Sequence, residues 1–506
     1  MSEQHAPNPP GLRSWLGLLV VLGPVLLVSM DGSILYLAMP RVSQALAPTA
    51  DQALWTLDIY GFAVGSLLIT FGNIGDRYGR LKLLMVGAAV FGLASAASAF
   101  APSPELLIAS RALMGIAGAT LLPSALAVLS ELFSDPKRRA QAIGIFAAAF
   151  AAGFAIGPVA GGILLERFWW GSVFLINLPV IAVFLILAPI LLREVSTSRP
   201  GPVDLLSVVA SALGILMSVY ALKQAAAEGF SLLPALVGLA GIALLIVFVR
   251  RQQRIAHPLM DFSLFRDRVF TVAIITGLLP LAAWSAAAYL SGMYLQSVLD
   301  ISVLHAAFLA LPGALVLTVT CIATPMVVDR VGKRAALIIC HFSIAAGLLF
   351  LLPATISGGV GWYIASTCVA GLGYGISFAV VADTAVGAVP ASRAGSAGAI
   401  AETSNEIGNA LGIAVIGSLA ALLFRLQGPD LAPTLDETLQ LPGLSDSVMN
   451  DAKSAFVIGL HAAAVVASLL HLALGVLALR WLPKEKRETE QPVNEVPQEA
   501  VDHVKA

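Results

Sequence analysis

Gly72-Asn73-Ile74-Gly75-Asp76-Arg77-Tyr78-Gly79-Arg80-Leu81-Lys82 is a polar, basic turn set between two long apolar runs. Much later in the chain, Asp329-Arg330-Val331-Gly332-Lys333-Arg334 repeats the pattern Asp-Arg-x-Gly-basic, again between two apolar runs. Turns of one composition in equivalent places suggest two homologous halves related as parallel repeats, a common plan among membrane transport proteins. The competing reading is that each turn is only basic punctuation on the inner side of a membrane. Two copies in register favour the repeat.

Composition places these turns in a bilayer. Of 506 residues, 58% are hydrophobic and 12% charged, with mean hydropathy +0.89. An average soluble domain is roughly 25% charged. The charges stand in short clusters between apolar runs long enough to span a hydrocarbon core, which takes about 20 residues of helix. Alternating ten-residue segments of a barrel are absent. No basic arm or stripe suggests nucleic acid. Cys321, Cys340 and Cys368 each fall inside an apolar run and read as packing residues, with no metal site or disulfide framework. The first apolar run carries Asp31 and reads as an uncleaved span, not a signal peptide.

An all-α integral membrane fold of fourteen helices is expected, near 15–38, 53–72, 83–101, 105–130, 141–165, 172–192, 204–224, 231–250, 269–290, 304–328, 335–353, 361–382, 395–424 and 454–482. With both termini inside, the inner segments hold about 23 of the 29 Lys and Arg, against Arg41, Arg167, Lys223, Arg425 and Lys453 outside. Both termini are therefore expected in the cytoplasm. Counting back from the two turns gives an N-terminal six-helix bundle (1–200), an inserted two-helix hairpin (201–252), a C-terminal six-helix bundle (253–482) and a disordered cytoplasmic tail (483–506). A polar external loop is expected from Gln427 to Lys453.

Four stretches resemble the major facilitator superfamily, and more narrowly its fourteen-span drug:proton antiporters, over nearly the whole chain. The turn with Gly72, Gly75, Asp76, Arg77, Gly79 and Arg80 resembles the superfamily's signature cytoplasmic turn. Arg111-Ala112-Leu113-Met114-Gly115 resembles the basic motif of proton-coupled members. Gly153-Phe154-Ala155-Ile156-Gly157-Pro158-Val159-Ala160-Gly161-Gly162 is similar to the antiporter signature. Met30-Asp31-Gly32-Ser33-Ile34-Leu35, with Ala38-Met39-Pro40, resembles the membrane-embedded aspartate motif of the fourteen-span exporters. The resemblance implies proton-coupled efflux of lipophilic cations such as quaternary ammonium compounds and dyes, from a bacterial inner membrane, by a functional monomer with no cofactor. Family members carry functional acids in the thirteenth span. Some also carry one in the tenth, where Leu315 to Thr320 here is apolar or hydroxylic, so the resemblance does not extend to bulky divalent cations.

The residues support this chemistry on their own terms. An ionised side chain deep in a bilayer costs about 2.5–3.5 kcal/mol or more, so it faces a cavity or a partner. Asp31 lies roughly 24 Å along a helix that starts inside, and Asp58 and Arg111 sit at similar depth on the second and fourth spans. The three are expected to form an outer-half charge cluster, with Arg111 holding one carboxylate ionised while the other exchanges protons. A structural ion pair is the alternative. On the thirteenth span, Glu402 and Glu406 are four apart and share a helix face. Two close carboxylates in low dielectric cannot both ionise cheaply, so one is expected to carry a proton. The alternative for Glu402 is inside water or a pair with Arg393.

Gly153, Gly157 and Gly161 form a small-residue stripe for close helix approach. Pro158 adds a kink, and Gly162 extends the glycine run. A seal and hinge between the halves is expected, against ordinary tight packing. Asp76 is expected to cap a helix start and to pair with Arg77 or Arg80 as an inside gate, against a purely topogenic role.

Pocket aromatics for a cation are Tyr36, Trp55, Tyr60, Trp284, Tyr289 and Tyr374. Trp15, Trp169, Trp170 and Trp481 read as interfacial anchors. His305, His341, His461 and His471 have no acid at ligand spacing and read as structural. No phosphate loop points to ATP, and no nucleophile elbow or metal-ligating pair points to a membrane enzyme. A dedicated exporter of one metabolite and a non-transporting structural or sensor protein are the other readings.

Overall fold

A computed structural model describes residues 11–481 except 49, 195–202, 229–230, 257, 261, 267, 388, 390–393, 428–431, 433 and 440. The tail expected at 483–506, and Arg393, lie outside the described residues. The helices are α1 (Leu12–Leu46), α2 (Ala50–Tyr78), α3 (Arg80–Ala99), α4 (Pro104–Leu132), α5 (Pro136–Arg167), α6 (Ser172–Leu175), α7 (Asn177–Leu191), α8 (Leu205–Glu228), α9 (Leu232–Gln252), α10 (Arg268–Met293), α11 (Val303–Val331), α12 (Lys333–Leu349), α13 (Val360–Gly387), α14 (Ala394–Leu411), α15 (Ser418–Gln427), α16 (Leu435–Leu439) and α17 (Asp446–Trp481). A π-helical turn, Tyr294–Val298, extends α10, and another, Gly412–Gly417, joins α14 to α15. Among the described residues the only extended pairing is an isolated bridge between Thr355 and Gly358.

Among the described residues, twelve spans are long and apolar enough to cross a membrane by length and composition, and two of the fourteen expected segments are not among them. The two expected segments that fall short do so for physical reasons. α12 has 17 residues and opens on the basic turn Lys333-Arg334. α14 is diluted by Glu402, Asn405, Glu406 and Asn409, which line a cavity, and only the stretch Val415–Gln427 beyond it forms a shorter apolar helix. The expected helix at 172–192 is broken at Ile176 into α6 and α7. A polar bridge holds that break: Asn177 Nδ2 donates to Ser95 Oγ (2.9 Å), which donates to the Phe174 carbonyl (2.8 Å). Within the expected external loop, α16 forms a short helix and α17 begins at Asp446.

One core cluster runs from Leu18 to Leu192. A second draws on α10–α13 and α15–α17, with Ile416 of the second π turn, and takes in Ala147 and Ala148 of α5. The hairpin has a small core of its own, formed by Ala210 and Phe248 with Leu259. Side chains such as Leu19, Leu93, Ile186, Leu236 and Leu315 point outward and exposed. Water would penalise such a surface, and lipid tails do not. The two basic turns share a backbone solution. Gly79 (φ 110°) and Gly332 (φ 81°) occupy the same place in Asp-Arg-x-Gly, immediately before α3 and α12. A positive φ at both is open to glycine at low cost.

Gly72 and Gly75 are buried at the end of α2. Asp76 and Arg80 form a buried ion pair four residues apart, and Arg77 Nε donates to Asn73 Oδ1 (2.7 Å). The carboxylate at the start of α3 belongs to Glu194, not to Asp76 as expected. Its two oxygens accept from Leu81 N and Lys82 N, each at 2.9 Å. Free amides and the positive end of the helix dipole attract a carboxylate there. Only the folded approach of the end of α7 brings Glu194 to the turn.

Candidate functional site

Asp31 and Arg111 meet as a fully buried ion pair between α1 and α4. Arg111 Nε also donates to the Thr56 carbonyl (3.3 Å), and its guanidinium lies 4.7 Å from the Tyr60 ring centre. The charge is thus held by a carboxylate, a carbonyl and an aromatic face. Tyr60 is fixed in turn by its hydroxyl, which donates to the Val28 carbonyl (3.1 Å). Asp31 Oδ1 is buried with no hydrogen-bond partner among the described residues. Its open lone pairs are the position where a proton or a water would dock.

Of the expected three-charge cluster, Asp31 and Arg111 are paired. The face of α2 that meets Arg111 carries Thr56 and Tyr60. Asp58 is two residues from each, about 200° around the helix, and is partly exposed. Depth along the helix was legible in the sequence; azimuth was not used.

The glycine stripe of α5 packs on α1 around this pair. A Cβ on Gly153 would stand 2.7 Å from the Leu26 carbonyl oxygen, one on Gly157 2.9 Å from that of Met30, and one on Gly161 2.7 Å from Ile34 Cγ1. Ser29 and Ser33, flanking Asp31, face Gly153 and Gly157. Gly162 lies at the seam with α11, where a Cβ would stand 2.7 Å from Leu304 Cδ1 of α11 and 3.6 Å from Leu37 Cδ2 of α1. Pro158 lies inside α5, which runs on through it to Arg167. So α5 is clamped to α1 by the stripe while its other face meets α11.

A cavity of about 290 Å³ opens between α5, α10, α11, α12, α13 and α14. Its walls are mostly apolar and aromatic, with Phe154, Trp284, Tyr374 and Phe378 among them. Phe154 and Trp284 meet edge to face at 5.7 Å. One wall is polar: Glu402, Asn405, Glu406 and Asn409 project from α14. Their spacing of three and four residues places all four on one face. Asn405 Nδ2 donates to Glu402 Oε2 (3.4 Å), orienting that carboxylate. Glu402 is buried and Glu406 partly so.

The two acidic sites are linked. Glu406 packs against α2, where a Cβ on Gly65 would lie 3.3 Å from Glu406 Cβ. The sequence placed these acids in separate regions; the fold packs Glu406 against α2, the helix that also carries Tyr60.

Of the expected pocket aromatics, Trp284 and Tyr374 line the cavity. Tyr60 instead underlies Arg111. Trp55 stacks on Tyr220 of α8 (6.1 Å, 12° between planes). Tyr289 is half exposed and is not part of the cavity wall. The side chain of Tyr36 lies outside the described residues. The cavity amides Asn405 and Asn409 were not singled out as site residues, although they repeat the same helical spacing.

Crossing helices with a lipid-facing exterior, around a cavity carrying two carboxylates in an aromatic shell, define a multi-pass membrane transporter. The chain belongs to the Major Facilitator Superfamily, whose family model matches residues 24–413. It is 36% identical to the multidrug efflux pump LfrA of Mycolicibacterium smegmatis, over 91% of this chain and 95% of that protein. It is 31% identical to the methyl viologen resistance protein SmvA of Salmonella typhimurium, over 92% and 98%. It is 30% identical to the puromycin resistance protein pur8 of Streptomyces alboniger, over 86% and 88%. In fold it resembles the crystal structure of the human organic anion transporter MFSD10, with TM-score 0.60 and 15% identity, over 93% of this chain and all of that one.

Proposed function

We propose that the protein is a proton-coupled exporter of lipophilic, mostly cationic compounds, such as quaternary ammonium antiseptics and dyes, in a bacterial cytoplasmic membrane. It works as a monomer, without a cofactor, and takes its energy from the proton gradient. In this reading the chain makes fourteen crossings with both termini inside, α12 and the α14–α15 unit supplying the two that hydropathy alone does not mark. The observation that carries the proposal is the cavity, where Glu402 and Glu406 face Trp284, Tyr374 and Phe378. Aromatic faces attract a lipophilic cation, and the carboxylates supply a charge that a proton can cancel. The relatives named for multidrug efflux and methyl viologen resistance agree with such a substrate.

The cycle follows from competition for charge. A cation enters from the inner side and favours ionised Glu402 and Glu406. The two bundles rock about α5 and its neighbours, and the cavity opens outward. Protons from outside neutralise the acids, and the cation loses its attraction. Protonated Asp31 would release Arg111 from its pair and loosen the packing of α1 against α4. The neutral carrier returns and gives its protons to the cytoplasm. Asp76–Arg80 and Glu194 brace the signature turn within its own bundle as the bundles rock.

The test is ethidium movement in proteoliposomes under an imposed pH gradient, wild type beside Asp31→Asn. Gradient-driven movement that the substitution abolishes is expected. Wild-type liposomes that move no such dye would contradict the proposal. A second reading, export of one dedicated compound, is favoured by relatives named for puromycin resistance and for tetracenomycin C resistance and export. A resistance profile confined to a single compound would select it.

A further inference from the structure

Two buried histidines lie behind the cavity wall, outside the acidic network. His341 of α12 and His471 of α17 are fully buried, and their Nδ1 atoms stand 3.2 Å apart. A contact between two ring nitrogens is attractive only if one carries hydrogen and the other a lone pair. In the neutral pair the donor ring then has a bare Nε2, and the acceptor ring an Nε2–H. Both Nε2 atoms are buried with no hydrogen-bond partner. A proton can therefore add to the bare Nε2 without breaking the Nδ1–H···Nδ1 bond, and the pair becomes a cation.

The surroundings tie this pair to the cavity. Tyr374 belongs to the cavity wall and sets its ring against that of His471 edge to face (6.1 Å, 86°). Its hydroxyl is also buried without a partner. The ionisable groups facing the pair are Cys340 from α12, whose Sγ is 4.0 Å from His341 Nδ1, and Tyr374 from α13. α17 contributes His471 and the Ser468 hydroxyl, which donates to the Ala345 carbonyl (3.0 Å). Among the described residues, no group of three His, Cys, Asp or Glu side chains could hold a metal ion. A proton is the ligand that two imidazoles at this distance fit.

We propose that His341 and His471 form a second proton-carrying site, separate from the carboxylates and coupled to the cavity through Tyr374. Protonated, the pair places a positive charge behind the aromatic wall and repels a cation in the cavity. Deprotonated, it lets the cation bind. The inference rests on the cation:proton reading above and adds a consequence to it. One proton per monovalent cation is an electroneutral exchange. Each proton carried beyond the first makes the exchange more electrogenic, so a proton on the pair adds to those on the carboxylates and steepens the response to a negative-inside potential.

The test uses proteoliposomes loaded with ethidium, a monovalent cation, with either a pH gradient or a potassium-diffusion potential imposed in the transport direction. Wild type is expected to respond to both. His341→Gln and His471→Gln are expected to respond to the pH gradient but to respond less to potential than the wild type. A wild type driven by the pH gradient yet indifferent to potential overturns the second site alone, as do variants whose response to potential equals that of the wild type. A wild type driven by neither overturns the exporter reading and this inference with it. Should the variants fail to fold, nitrogen-15 histidine NMR of the wild-type protein between pH 8 and 5 decides. An imidazolium signal that ethidium reverses is expected; buried imidazoles neutral throughout would overturn the proposal.

Discussion

Asp31 and Arg111 carry the clearest single-residue consequences. Removing one partner of a buried ion pair leaves the other uncompensated, at a cost of about 3–5 kcal/mol. Asp31→Asn and Arg111→Gln are each expected to lower the thermal midpoint in detergent. The double replacement Asp31→Leu/Arg111→Met should recover most of that loss, because no charge is then left unpaired, and yet show no gradient-driven dye movement. A double variant that transports would make the pair purely structural. Gly79→Ala is expected to destabilise by about 1–3 kcal/mol, since alanine at φ 110° is strained. Its Cβ would also stand 2.8 Å from Glu194 Cδ. At this scale the sequence was informative wherever a residue type was costly in its surroundings. Asp31 and Arg111 stood out because charge is expensive in an apolar run, and Glu402 and Glu406 because of their spacing. Glu194 and the two histidines did not. Their meaning lies in contacts between residues more than 100 positions apart, as the separations of 113 and 130 show.

Among the elements, α5 and the inserted hairpin are the most telling. A stripe of small residues announces close packing but does not name the partner, and α1 is that partner here. Gly157→Val is expected to force α1 and α5 apart at an overpacking cost of about 1–3 kcal/mol, measurable as a fall in midpoint together with loss of transport. A variant of normal stability and activity would remove the stripe from the account. The α8–α9 hairpin was legible as two spans. What it touches was not, because the residues involved are individually ordinary. Gln252 Nε2 donates to Ser207 Oγ (2.6 Å), Leu259 N donates to Gln252 Oε1 (2.6 Å), and Asn73 Nδ2 donates to the Leu259 carbonyl (3.1 Å). This ladder ties the base of α8–α9 to α2 beside the signature turn, and Trp55 on Tyr220 braces α2 towards its other end.

Asp204 closes the hairpin base through two bonds from Arg251, at 2.6 and 3.0 Å. Those bonds hold its carboxyl down at about 2, below the ordinary value. A lowered carboxylate contributes stability that is complete above its unfolded value, roughly 3.9, and is lost as pH falls through about 2. The hairpin base should therefore be insensitive to pH between 5 and 8. Asp204→Asn is expected to speed amide hydrogen exchange near the ends of α8 and α9, equally at both pH values. A pH-dependent difference in that range would contradict this assignment.

For the whole molecule, composition and two matching turns were enough to place the chain in a membrane, because apolar exteriors and internally satisfied backbones are obligatory there. The positive φ at Gly79 and Gly332 gives the resemblance between the turns a physical basis. The cavity was only half legible. Its acids and two of its aromatics could be named, but its assembly from six helices depends on packing that no local pattern encodes. The same polar residues that build it make α14 too polar to register as a span, which is why function and hydropathy disagree at that helix. The central claim is that cation and proton compete for this cavity. The most direct measurement is proton release on adding a quaternary ammonium compound to the purified protein in weakly buffered detergent near neutral pH. The account predicts release by the wild type, reduced by Glu402→Gln and by Glu406→Gln. Tight binding of the cation by the wild type with no proton released would contradict it.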